Sequence, residues 1–124
     1  MKNLLIFFSF FIFSLPVEAK HIYLEKVYQD AWCQAHNGTT EVILPDGSRA
    51  DCITSKYAIE FDFAQKFQES IGQALEYSMQ LGKQAGIVLI MEKPHDQIFL
   101  NRLIPIANKY NIKVWIMTPS DLKN

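Results

Sequence analysis

The segment Pro45-Asp46-Gly47-Ser48-Arg49-Ala50-Asp51, continued by Cys52-Ile53-Thr54 and then by Tyr57-Ala58-Ile59-Glu60-Phe61-Asp62-Phe63, decides how this chain is built. Pro45-Asp46-Gly47 is turn chemistry, the short β-prone Glu41-Val42-Ile43-Leu44 precedes it, and Arg49 to Thr54 resumes an extended pattern, so a hairpin is predicted. Tyr57 to Phe63 is a third strand. Glu60 and Asp62 are two apart in it and project from one face, while Asp51 lies in the strand before. Three carboxylates can then converge. They raise one another's pKa unless a cation sits among them, and an all-oxygen donor set suits Mg²⁺ or Mn²⁺ rather than zinc. The alternative is that they line a solvated face.

Outward from this segment the order of elements is clear. Ile22 to about Ala35 carries apolar residues at helical spacing (Ile22, Tyr23, Val27, Ala31, Trp32) and stops at Asn37-Gly38. Phe63 to Leu81 is the longest helix, with Phe67, Ile71, Ala74, Leu75 and Met79 near one face and Gly82 as its stop. Ala85 to Met91 is a continuous apolar run of strand length, as expected of a strand covered on both faces. After Pro94 to Asp96, Ile98 to Tyr110 forms a last helix, bent or delayed by Pro105, and Ile112 to Met117 a last strand. The order α-β-β-β-α-β-α-β predicts an α/β fold with a mixed sheet and at least one parallel crossover.

Together these features resemble the core of the PD-(D/E)xK nuclease superfamily, the restriction-endonuclease-like fold: a helix, three antiparallel strands, a helix and a further strand. The resemblance covers roughly residues 22 to 91, with the C-terminal αβ unit as an extension. Asp46 to Asp51 followed by Ile59-Glu60-Phe61-Asp62 looks like the family's aspartate strand and its (D/E)xK strand. Gln73 and Tyr77 are similar to the QxxxY pattern of the RecB-type branch. The resemblance implies that Asp51 and Glu60 ligate the metal, with the Phe61 carbonyl completing the shell. The chain departs from the pattern at Asp62, which stands where the family has lysine, and an aspartate cannot stabilise charge developing on a phosphate. Either Lys66, one turn into the next helix, delivers the ammonium, or Asp62 holds a second cation. If neither holds, the site is dead and the fold serves as a binding or interaction module.

Lys66, Glu69, Gln73 and Tyr77 are spaced by three, four and four and so share a helix face. The resemblance makes Gln73 and Tyr77 contacts to substrate and Glu69 an organiser of the site; otherwise they form a polar edge facing water. The family's extra N-terminal acidic residue is supplied by Glu41 or Glu25, and Glu41 is preferred because it is borne on the sheet. Trp32 and Trp115 are read as core rather than as a base-stacking platform, because no basic residues interleave them. His21, His36 and His95 are dispersed and read as surface or capping residues.

The remaining features bear on compartment and partners. Lys2, the apolar run Leu4 to Leu15, Pro16 and Val17-Glu18-Ala19 form a signal peptide over residues 1–19, cleaved after Ala19. About 12 apolar residues fall short of the roughly 20 of a spanning helix, which makes an uncleaved anchor the lesser alternative. Residues 20–124 then form one exported domain, periplasmic or secreted, with no stable membrane association. Cys33 and Cys52 are the sequence's two cysteines, and an oxidising compartment pairs them in a single disulfide. With 49% hydrophobic residues, 20% charged and a net charge of -1, the 124-residue chain is neither a disordered tail nor a bulk electrostatic binder of nucleic acid. The resemblance nevertheless makes nucleic acid the partner, DNA before RNA. A core this small has little surface to grip a duplex, so a homodimer is plausible, although no interface motif supports it.

Overall fold

A computed structural model describes residues 20–123, and the expected signal peptide lies outside the described residues. Helix α1 (Glu25–Ala35) leads into β1 (Thr39–Ile43), β2 (Arg49–Ile53) and β3 (Tyr57–Phe63), followed by a 3-10 turn (Ala64–Lys66) and helix α2 (Phe67–Leu81). Strand β4 (Gln84–Ile90), helix α3 (Gln97–Lys109) and β5 (Lys113–Met117) complete it. The five strands lie in sequence order, the first three antiparallel and β3, β4 and β5 parallel, so α2 and α3 are the crossovers of a mixed sheet.

The sheet is the middle of three layers. On one face α1 packs Tyr28 and Trp32 over Ile59, Phe61, Phe63, Val88 and Ile90. On the other, α2 and α3 pack Phe67, Ala74, Leu100 and Leu103 against Ile87 and Leu89. Strand β4 contributes side chains to both faces, which is why it reads as an unbroken apolar run. Gly82 ends α2 in the left-handed region at φ +63°, as its position predicts. Helix α3 begins on time and runs through Pro105 rather than being delayed by it.

Helix α1 begins at Glu25, three residues later than its periodicity predicts. The cause lies far along the chain, at Glu92 just beyond β4. Its carboxylate accepts the backbone amides of Ile22 (3.0 and 3.1 Å) and Tyr23 (3.2 Å), and the Tyr28 hydroxyl at 2.7 Å. His21 Nδ1 lies 3.1 Å away, and its ring stacks on Phe63 with centroids 3.4 Å apart. The segment before α1 is thus held as a non-helical strap. Burial works against the Glu92 carboxylate, but these bonds outweigh it and keep its pKa below the ordinary value.

The predicted disulfide is present: Cys33 on α1 is bonded to Cys52 on β2, with Cα atoms 6.0 Å apart. Gly38 lies against it, and a Cβ there would meet both sulfurs at 2.6 Å, so no larger residue fits without displacement. Among the described residues no helix is long and apolar enough to cross a membrane.

Candidate active site

Strand β2 pairs with β3 through Cys52↔Ile59 and Ile53↔Ala58, and the ladder then stops. Beyond it the Asp51 side chain takes over, Oδ2 accepting the Phe61 amide at 2.8 Å. The Asp51 carbonyl accepts from Gln29 Nε2 at 2.8 Å, and the same amide group donates to Glu41 Oε1 at 3.0 Å. Gln29 is buried on α1 and pins the helix to both strands. On β1, Glu41 adopts φ +56°, a conformation that costs a non-glycine residue roughly 1–2 kcal/mol. The sheet is therefore irregular where Asp51 sits.

The alternation of β3 sends Ile59, Phe61 and Phe63 toward α1 and leaves Glu60 and Asp62 on the α2 side. Both carboxylates are buried, Glu60 at 4% and Asp62 at 6% exposure, and Glu60 Oε2 has no hydrogen-bond partner. Burial, then the charge of and hydrogen bond to Asp51, then Asp62 and Glu25, drive the Glu60 pKa far upward. Asp51 is also raised by burial, against the opposing Phe61 and Glu60 hydrogen bonds. Asp62 is pushed up to about 7 by burial and Glu25, with Lys66 opposing. Glu25 rises to about 7 through burial and Asp51, again opposed by Lys66. Each of these carboxyls demands a proton or a cation.

The sequence-selected residues fall around this centre unequally. Glu41 is exposed and engaged by Gln29 and by Arg49 at 3.6 Å, yet its charge still raises Asp51 and Glu25. Glu25, the second choice in the sequence, acts electrostatically on both Glu60 and Asp62. Lys66 is exposed at the start of α2, and Glu69, also exposed, raises Asp62. The buried Tyr77 hydroxyl donates to Gln73 Oε1 at 3.2 Å, and burial followed by Glu60 and Asp51 raises its pKa. Gln29 escaped the sequence reading; its signal was a polar residue one turn beyond Glu25, beside the core residues Tyr28 and Trp32.

Among the described residues no group of three His, Cys, Asp or Glu side chains is arranged to hold a metal ion as it stands. The Asp51 and Glu60 pair nevertheless fits a hard cation, because Glu60 Oε2 is buried without a donor and Mg²⁺ is commonly bound through one or two carboxylates plus water. No protein-family model, curated protein or solved structure matches this chain.

Proposed function

We propose that the chain is an exported nuclease-like domain with a restriction-endonuclease-like αβββαβ core, hydrolysing phosphodiester bonds of nucleic acid with a divalent cation. The observation that carries the reading is the unpartnered oxygen of Glu60, buried against Asp51 where β2 parts from β3. In water such a pair would be ordinary. Here burial and mutual repulsion, which raise both pKa values, disfavour two separate charges, so the pair holds a shared proton or a cation. The helix, three antiparallel strands, helix and parallel strand are in the order that the resemblance requires.

Asp51 and Glu60 are the residues to hold Mg²⁺ or Mn²⁺, with Asp62 as a further acidic neighbour. The bound cation would lower the pKa of a water molecule and offset phosphate charge. Lys66 supplies the remaining cationic group: it is exposed, and its charge acts on Glu25 and Asp62. In this role it would draw the scissile phosphate toward the carboxylates and oppose their repulsion. Gln73, half-buried and held by the Tyr77 hydroxyl, is the member of that pair that would meet substrate, and Glu25 and Glu69 close the acidic rim.

The competing reading is a binding module that has lost catalysis, and Asp62 at the lysine position is the observation that favours it. Purified protein incubated with labelled single- and double-stranded DNA and RNA, in Mg²⁺, Mn²⁺ or EDTA, separates the two. Cleavage that needs metal and disappears in Glu60→Gln is the expected result. Binding without cleavage under every metal would favour the module.

A further inference from the structure

The face of the sheet that carries α1 holds a second feature remote from the carboxylates. A cavity of about 180 Å³ is lined by Trp32, His36, Ser55, Lys56, Tyr57 and Trp115. Both tryptophans of the sequence line it; the sequence reads them as core because no basic residue interleaves them, and the fold instead brings Lys56 and Lys113 beside the aromatic rings there. Trp115 stands edge-on to Trp32 and to Tyr57, with centroids 4.9 Å apart in each case. Its ring lies across β4 at Gly86, where a Cβ would come within 2.8 Å of it. Glycine there lets the indole lie down, and His36 stacked at 3.6 Å on Trp32 closes the opposite wall.

The surrounding charges select the occupant. Lys56 Nζ is 5.2 Å from the Tyr57 ring centroid and Lys113 Nζ is 6.0 Å from that of Trp115, and both lysines are exposed. Two ammonium groups lie beside these rings, which disfavours a cationic ligand and favours an anionic one. The volume is below that of pockets for drug-sized molecules, so one planar ring system is what fits. Ring faces beside paired lysines are the combination that grips single-stranded nucleic acid, bases on aromatics and phosphates on ammonium groups.

We infer that this cavity is an accessory site for one unstacked base of a single-stranded nucleic acid, with its flanking phosphates on Lys56 and Lys113. The inference rests on the proposal that nucleic acid is the substrate, and it adds a grip outside the cutting centre. Tyr57 and Asp62 lie about 16 Å apart along β3 and their side chains leave opposite faces, so the site restrains a strand without touching the carboxylates.

Both tryptophans line the cavity, so their fluorescence reads it directly. The full disulfide-bonded protein is titrated in EDTA with a ten-residue oligothymidylate and with an abasic oligomer of equal length. Saturable quenching by the first and little by the second is expected, with a log–log salt slope near -1.4 for two phosphates, at about -0.7 each. Lys56→Ala and Lys113→Ala, at exposed positions, should each remove about half of that slope and weaken binding, while Glu60→Gln leaves quenching unchanged. Equal quenching by the abasic oligomer, or an unaltered slope in both lysine variants, would overturn the site. Metal-dependent cleavage without any tryptophan response also removes this inference and leaves the nuclease proposal standing. Lysine-dependent quenching in a protein that never cleaves supports the site and removes the nuclease proposal.

Discussion

Asp51 and Phe61 are joined side chain to backbone: the carboxylate of one accepts the amide of the other at 2.8 Å. Continued in register, β2 and β3 would set Ala50 opposite Phe61, and the aspartate replaces that rung of the ladder. The contact both separates the strands and fixes the carboxylate beside Glu60.

Asp51→Asn retains an oxygen acceptor and should fold almost as stably as the parent. Asp51→Ala leaves the buried amide unpaired and should lose about 1–3 kcal/mol in urea denaturation. Calorimetric titration should show both variants losing Mn²⁺ affinity, along with Glu60→Gln. Unchanged affinity in all three would remove the metal centre.

Acidity should act on the metal-free protein in two opposing senses. Glu25 and Asp62 keep their protons to about pH 7 when folded, against ordinary values of 4.5 and 3.8. Their stabilising contribution is complete below those ordinary values and lost as pH rises through 7. Glu92 is held below 4.5, so its contribution is present above that value and lost as pH falls through its depressed pKa. The melting temperature should therefore peak in acid, at about pH 4, and decline as pH rises toward 7. Glu25→Gln combined with Asp62→Asn should flatten the decline, and Mn²⁺ should reverse it. A parent profile already flat between pH 5 and 8 would contradict the raised carboxyls.

Lys66→Ala should slow cleavage by about 10²–10³-fold while Mn²⁺ affinity and melting temperature hold, because the side chain is exposed. Lys66→Arg should recover part of the rate, since charge persists but geometry changes. Asp62→Lys supplies the lysine of the superfamily that the sequence resembles, and should be harmless or activating if the aspartate takes no part in the chemistry, and inactivating if it holds a second cation. Full activity in Lys66→Ala with none in Asp62→Ala would replace the lysine by a second cation.

Reduction of the Cys33–Cys52 bridge should lower the melting temperature by several degrees, from a contribution of about 3 kcal/mol for a loop of this length. Gly38→Ala should cost more in the oxidised than in the reduced protein, since only bonded sulfurs are unable to move away from the added methyl. Thermal melts of both proteins with and without reductant give the four values. Equal costs in the two states would mean that the loop yields instead.

What the sequence discloses depends on the range of the interactions involved. The bounds of β3 are legible because seven consecutive residues answer to one neighbourhood, a buried strand between two packed faces. The start of α1 is not, since the carboxylate that detains Ile22 lies 70 residues away. Glu41 looks the better acid because a strand residue belongs to the sheet, but Gln29 and Arg49 engage it, while Glu25 acts on both buried carboxylates of β3. Lys56 and Lys113 are distant in sequence from the tryptophan of α1, and only the sheet brings Lys56 into the cavity lining and Lys113 beside its Trp115 wall.

The bridge joins α1 to β2 one residue past Asp51, and Cys33 stands one helical turn beyond Gln29. The covalent tether and the hydrogen bonds that seat Asp51 therefore share one joint. Under reducing conditions the covalent half of that joint is lost, and the helix carrying Glu25 and Gln29 is held by packing and by the hydrogen bonds of Gln29 and Tyr28. If the proposed nuclease reading holds, cleavage should weaken when the bridge is reduced, because the helix that seats Asp51 is then free of its covalent tether.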